Sequence, residues 1–204
     1  GIDLPGEESG ILKPPSDWTR SSLAFLSIGY EISITPIQLL QAINIIANKG
    51  MVIPLRAVKK KSDFPKLAME TKVQHQRVIS EETAEKLTFM LERVVREGTG
   101  ISAQIKGYRV AGKTGTAQKI DPSTGNYSSS SHLASFAGFV SGDKPLLSMI
   151  VVIDEPKGQY FGGEVGAPIF RDIASQVLRY LEIPQQKNYL QNIRADNSWR
   201  QAER

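Results

Sequence analysis

Lys113-Thr114-Gly115-Thr116 sets an ammonium group, two hydroxyls and a glycine in a row at the end of a strand-like stretch. A cation flanked by hydroxyls suits a carboxylate, which accepts charge-assisted hydrogen bonds. Strand alternation sends Lys113 and Gly115 to one face and Thr114 and Thr116 to the other. Glycine here lets a ligand's backbone approach the strand closely, and an exposed backbone N–H can serve as an oxyanion donor. The same four residues also describe an ordinary charged edge strand, so the surroundings must decide.

Two other matches carry no chemistry. Gly107-Tyr108-Arg109-Val110-Ala111-Gly112-Lys113-Thr114 fits the phosphate-loop pattern Gly-x4-Gly-Lys-Thr. That loop needs flexible residues between its glycines and a helix N-terminus after them. Here the intervening residues favour a strand, and Gly115 to Pro122 breaks before a helix could form. Ser141-Gly142-Asp143-Lys144 has the spacing of an acyl-serine Ser-x-x-Lys, but that chemistry needs both side chains one helical turn apart. Gly142 and Pro145 make it a hairpin turn instead. There is no cysteine, hence no disulfide, thiol nucleophile or Cys-ligated zinc. His75 and His132 are too few for a metal site or a histidine-based triad, and each is expected to be an ordinary surface or loop residue.

The elements that must hold this strand follow from pattern. Thr35-Pro36-Ile37-Gln38 opens a helix with a capping box and proline at its first position. Leu39, Leu40, Ile43, Ile46 and Ala47 follow at helical spacing, Gly50 closes the helix, and its wide apolar circumference predicts burial. Met51–Ile53 and Gln76–Ile79 are short β-like pieces around a polar loop at Ser62–Pro65. A second helix starts at Ser80 with Glu81 and Glu82 in its first turn, and lines one face with Leu87, Leu91 and Val94, Met90 beside them, up to Gly98. Tyr108 onward is a strand, residues 121–131 a serine-rich loop, Leu133–Val140 a second strand, and Leu146–Ile153 a third, apolar enough to be central. The short link at Ser141–Pro145 makes these last two an antiparallel hairpin. A final helix is expected from about Ala167 to Leu181 with Pro168 in its first turn, followed by a polar tail that frays. The fold class is α/β (α+β), an antiparallel sheet flanked by helices, and so small a sheet for this much helix points to strands outside the sequence.

Composition narrows the field further. With 204 residues, 40% hydrophobic and 23% charged, the chain is neither disordered nor a membrane bundle. No apolar run reaches the ~20 residues that span a bilayer. Lys plus Arg number 25 against 21 Asp plus Glu, a net charge of +4. Apart from Lys59-Lys60-Lys61, a solvated strand end or loop, the basic residues are dispersed and lack interleaved aromatics, which argues against nucleic acid. The first thirty residues, rich in Gly, Pro and Ser, read as an irregular extended segment.

The wider sequence resolves the Lys-Thr-Gly-Thr ambiguity. Gly98-Thr99-Gly100 followed by Gly107 to Lys119 resembles the third active-site motif of penicillin-binding proteins. The similarity extends to Ser135-Phe136-Ala137-Gly138-Phe139-Val140, Asp154-Glu155-Pro156-Lys157-Gly158, Tyr160-Phe161-Gly162-Gly163, Gly1 to Glu7 and Ile34-Thr35-Pro36-Ile37-Gln38-Leu39. Residues 1–184 therefore look like the C-terminal portion of a class B transpeptidase domain of the serine β-lactamase/penicillin-binding-protein fold, and residues 185–204 form a polar tail. Ser27 to Pro36 leans toward the cell-division type.

The resemblance implies a peptidoglycan D,D-transpeptidase that works through an acyl-serine and is trapped by β-lactams, with no metal or organic cofactor. It implies that Lys113 supports proton transfer and attracts the substrate carboxylate, that Thr114 and Thr116 hydrogen-bond it, that Gly115 permits close approach, and that the Thr116 backbone N–H is an oxyanion-hole donor. A helical Ser-x-x-Lys and a Ser-x-Asn are both absent from the chain. The nucleophile, its base lysine and two further strands are thus expected N-terminal to Gly1, on the same or a separate chain. Alone, the fragment is expected to be inactive, with an exposed apolar surface where the rest belongs. Implied partners are stem peptides, β-lactams, the N-terminal part of the domain and cell-division proteins. The implied location is extracytoplasmic, at the periplasmic face of a bacterial inner membrane, with an anchor outside this chain. Two alternatives remain at this point: a D,D-carboxypeptidase or β-lactamase of the same superfamily, and a non-catalytic scaffold module.

Overall fold

The computed structural model describes Ile2 and residues 6–55, 76–142 and 145–186. The lysine triplet, the Ser62–Pro65 loop, His75, Asp143, Lys144 and the tail from Lys187 lie outside the described residues. In chain order the elements are β1 (Ile11–Leu12), α1 (Ser22–Ser27), β2 (Ile32–Ser33), α2 (Pro36–Ala47), α3 (Glu81–Glu97), β3 (Arg109–Ile120), β4 (Tyr127–Ser141), β5 (Leu147–Asp154) and α4 (Gly162–Tyr180).

The helix starts follow the local chemistry. Thr35 Oγ1 accepts from the Gln38 N–H while Gln38 Oε1 accepts from the Thr35 N–H, the reciprocal capping box expected from sequence. Gln38 also donates from Nε2 to the Ser9 carbonyl, which ties the N-terminal segment to α2; that segment is not irregular throughout as expected, since it holds β1 and the short helix α1. Ser80 caps α3 through the Thr83 N–H. Burial of α2 is less than its apolar circumference predicts: only Ile43 is fully buried, and Leu39, Ile46 and Ala47 are half-buried. On α3 the buried residues are Ala84, Glu92 and Val95, whereas Met90 faces solvent.

An antiparallel sheet in the order β3-β4-β5 organises the described residues. Its register pairs Gly112 with Gly138, Lys113 with Ala137 and Gly115 with Ser135, and then Phe136 with Val151. One face carries Val110, Phe136 and Val140 against Phe170, Ala174 and Leu178 of α4. The other carries Ala111, Ala137 and Phe139 against Ile43 of α2. Helix α3 contributes Val95 to the first cluster and Leu91 to the second, so it touches both layers.

Four expectations need correction. The serine run Ser128–Ser131 is not loop: it lies inside β4, which pairs as far as Ile120 with Tyr127, and the turn is confined to residues 121–126. Backbone pairing overrides the turn propensity of serine there. The third strand is not central among the described residues, because β4 is the middle strand. Helix α4 begins at Gly162, not near Ala167, so Pro168 lies inside it. The chain after Pro184 does not fray at once, since the Gln186 N–H donates to the Gly107 carbonyl (2.8 Å) and its side-chain amide to the Ser141 carbonyl.

Candidate active-site strand

Strand β3 pairs on one side with β4, and among the described residues its other edge has no strand partner. Alternation along β3 follows the predicted sense. Ala111 packs toward α2, and Lys113 and Gly115 share its parity. Val110 packs toward α4, the side on which Thr114 and Thr116 find their partners.

Lys113 is exposed, and among the described residues no ion pair involves it. Its Nζ donates to the Thr114 carbonyl at 2.9 Å and lies 3.4 Å from Thr114 Oγ1. The cation is thus held near the strand without a carboxylate to neutralise it. Thr114 Oγ1 is 2.9 Å from Thr99 Oγ1. Thr116 Oγ1 accepts the Gly162 N–H at 3.1 Å. Each hydroxyl is therefore engaged from behind, by residues the chemistry of the four-residue motif does not disclose. Thr99 and Gly162 belong to Gly-Thr-Gly and Tyr-Phe-Gly-Gly segments whose sequence signal is the glycines that flank or form the contact.

Those glycines let three pieces of backbone meet. A Cβ on Gly162 would fall 2.2 Å from the Ser135 carbonyl oxygen and 2.4 Å from that of Gly115. On Gly163 it would fall 2.2 Å from the Thr99 carbonyl oxygen. Only a residue without Cβ lets α4 begin this close to β3 and the Thr99 loop. At Gly115 a Cβ would meet Ser135 Oγ at 2.4 Å, so a side chain there would crowd the face that Lys113 shares.

Around this strand, His132 corrects its expected surface role: it is buried within β4 and stacks on Tyr160, with ring centroids 4.1 Å apart. Tyr160 in turn packs on Phe161, immediately before α4. Lys119 forms ion pairs with Glu155 (2.8 Å) and Asp154 (2.9 Å), whose hydrogen bonds raise its pKa above the ordinary lysine value. At the start of β3, Arg109 pairs with buried Glu92, which also accepts from Ser141. Ser141 is therefore the end of a strand.

The phosphate-loop match is likewise structural: Arg109–Ile120 is continuous strand, so strand and not helix continues directly from Thr114, and a Cβ on Gly112 would lie 2.5 Å from the Phe136 ring. A groove of about 750 Å³ opens elsewhere, lined by Ile46, Ala84, Phe89 and Phe139. Its cations Lys49 and Arg109 are already paired with Glu81 and Glu92. Lys113 does not line it.

Comparison with known proteins agrees with this architecture. The family model described as the penicillin binding protein transpeptidase domain matches residues 1–175. The chain is similar to stage V sporulation protein D of Bacillus subtilis, 39% identical over 204 aligned residues covering 94% of this chain and 30% of that protein. It is also similar to the peptidoglycan D,D-transpeptidase FtsI of Escherichia coli, 35% identical over 184 residues, 89% of this chain and 29% of that one. It spans about 30% of the length of these relatives.

Among solved structures, the transpeptidase domain of penicillin-binding protein 3 from Burkholderia pseudomallei superposes with a TM-score of 0.78 at 35% identity, over 91% of this chain and 54% of that one. Penicillin-binding protein 3 of Mycobacterium tuberculosis in complex with ampicillin gives 0.78 at 30% identity, over 93% of this chain and 44% of that one. With a family match over most of its length and the same mixed α/β architecture, this chain belongs to the penicillin-binding protein transpeptidase domain family.

Proposed function

We propose that this chain supplies the carboxylate-binding strand and oxyanion donor of a serine-type peptidoglycan D,D-transpeptidase, while the N-terminal part of the domain supplies the attacking serine and its base lysine. The observation that carries this is Lys113: an exposed ammonium on a strand edge, beside two hydroxyls, with no ion-pair partner among the described residues. A cation about 4 Å from a carboxylate contributes on the order of 4 kcal/mol at an effective dielectric near 20, before desolvation. That suffices to anchor the C-terminal carboxylate of a stem peptide.

With the D-Ala-D-Ala end so held, serine Oγ attacks the penultimate carbonyl carbon and its proton passes through the base to the departing D-Ala amine. The Thr116 backbone N–H, with a second donor, stabilises the tetrahedral oxyanion; such a donor is typically worth about 10²–10³ in rate. An amine from a neighbouring strand then attacks the acyl-enzyme, forms the cross-link and returns the proton to serine. A penicillin offers the same carboxylate and carbonyl, which accords with ampicillin bound to the Mycobacterium tuberculosis relative. The working protein would act outside the cytoplasm at the inner membrane, in cell division, held by a segment beyond this chain; among the described residues no helix is long and apolar enough to cross a membrane.

The test is labelling of the complete transpeptidase by a fluorescent penicillin. Lys113→Ala should reduce labelling at least about a hundredfold, the scale of a lost transition-state contact, and near-normal labelling of that variant would overturn the assignment. A long-lived penicilloyl adduct separates this reading from a β-lactamase, which releases it quickly.

A further inference from the structure

We propose that Thr99 is a positioning residue for the carboxylate site, orienting the Thr114 hydroxyl as the Gly162 amide orients that of Thr116. This rests on the carboxylate reading above and names what lies behind it. A threonine hydroxyl has one proton to give and two lone pairs to receive with. The Gly162 N–H can only donate, so Thr116 Oγ1 accepts from it at 3.1 Å and keeps its own proton for another partner. The Thr99–Thr114 contact, at 2.9 Å, allows either direction in the free protein.

A bound carboxylate removes that freedom. It can only accept, so Thr114 must spend its single proton on it. The contact with Thr99 then survives only if Thr99 donates. Lys113 Nζ donates into Thr114 Oγ1 at 3.4 Å and takes up one of its two lone pairs, which leaves the second for Thr99 and the proton for the ligand. With ligand in place both hydroxyls are fed from behind and donate forward, and donation into an oxygen strengthens the bond that its own hydrogen makes.

Thr99 is well placed to hold such a geometry. Its loop is fixed to the end of α3, where the Gly98 and Gly100 N–H groups both reach the Val94 carbonyl, at 3.1 and 3.0 Å. Gly163 packs against its carbonyl from α4. Thr99 is exposed and absent from both core clusters, so the fold has little need of its hydroxyl.

The experiment measures second-order acylation of the complete transpeptidase by a penicillin and by the methyl ester of the same penicillin, in wild type, Thr99→Val and Thr99→Ser. Valine keeps the β-branch and deletes the donor. The expected result is a five- to tenfold loss for the penicillin, the scale of one hydrogen bond, with the ester changed less than about twofold and serine restoring the wild-type preference. Because both rates scale with the folded fraction, their ratio is unaffected if the valine variant folds poorly. An unchanged penicillin-to-ester ratio in Thr99→Val overturns the role of Thr99. A wild type that does not prefer the free acid overturns the carboxylate assignment itself, a distinguishable failure.

Discussion

Single side chains here act through the protons they hold. Asp121, in the β3–β4 turn, accepts at Oδ1 from the Ser123 hydroxyl (2.6 Å) and the Ser123 backbone N–H (2.8 Å). These bonds favour the charged form and hold its pKa below the ordinary aspartate value, the hydroxyl being the larger cause. Ser123→Ala should move the Asp121 titration upward, toward the ordinary value, as followed by carboxyl-carbon NMR; an unmoved midpoint would assign the depression to something else. The sign for folding is fixed by linkage. With the folded pKa depressed, the stabilisation is present above the unfolded pKa and is lost as pH falls through the folded one.

Side-chain parity on β3 was the most readable feature at this scale. The parity of Lys113 and Gly115 against Thr114 and Thr116 followed from alternation alone. What stayed hidden was the second partner of each hydroxyl, because Thr99 and Gly162 lie 15 and 46 residues from the threonines they meet. Spacing rules carry no information about contacts made at that distance along the chain.

Elements were legible where a local rule fixes them and misplaced where packing does. The α2 capping box and the Ser80 cap are side chain-to-backbone contacts within three residues, so sequence suffices. The start of α4 was read five residues late, because two glycines and a later proline usually mark the outside of a helix. Here the glycines are inside since nothing larger fits: a Cβ on Gly162 would approach two carbonyl oxygens within 2.4 Å. The β4 start was missed for a similar reason, as pairing with β3 makes strand of a serine run.

Gly162→Ala should therefore act on β3 as well as on the helix. Alanine normally favours a helix over glycine by roughly 1 kcal/mol, yet here the contact with Gly115 and Ser135 forces α4 away and breaks the Thr116 hydrogen bond. The expected outcome is a lower midpoint in urea and slower penicillin acylation together. A variant more stable than wild type, with acylation intact, would show that the close approach is dispensable.

At the scale of the whole molecule, surface accounting supports a second part to the domain. Ile11, Leu12, Leu23 and Ile28 of the N-terminal segment are each at least 66% exposed, and Tyr180 on α4 is 86% exposed. So many large apolar side chains exposed to this degree fit a surface that another part of the domain covers. Among the described residues β5 also pairs along one edge only, although its side chains are as apolar as those of a middle strand. In an antiparallel ladder, alternate N–H groups of such a strand point to the unpaired edge. If the N-terminal part of the domain pairs there, hydrogen exchange gives the readout. In the 204-residue chain by itself alternate amides of Leu147–Asp154 should exchange readily, and in the complete domain all of them should be protected. Equal protection of every β5 amide in both polypeptides would mean that this edge is already satisfied within the chain, and that the N-terminal part of the domain docks elsewhere.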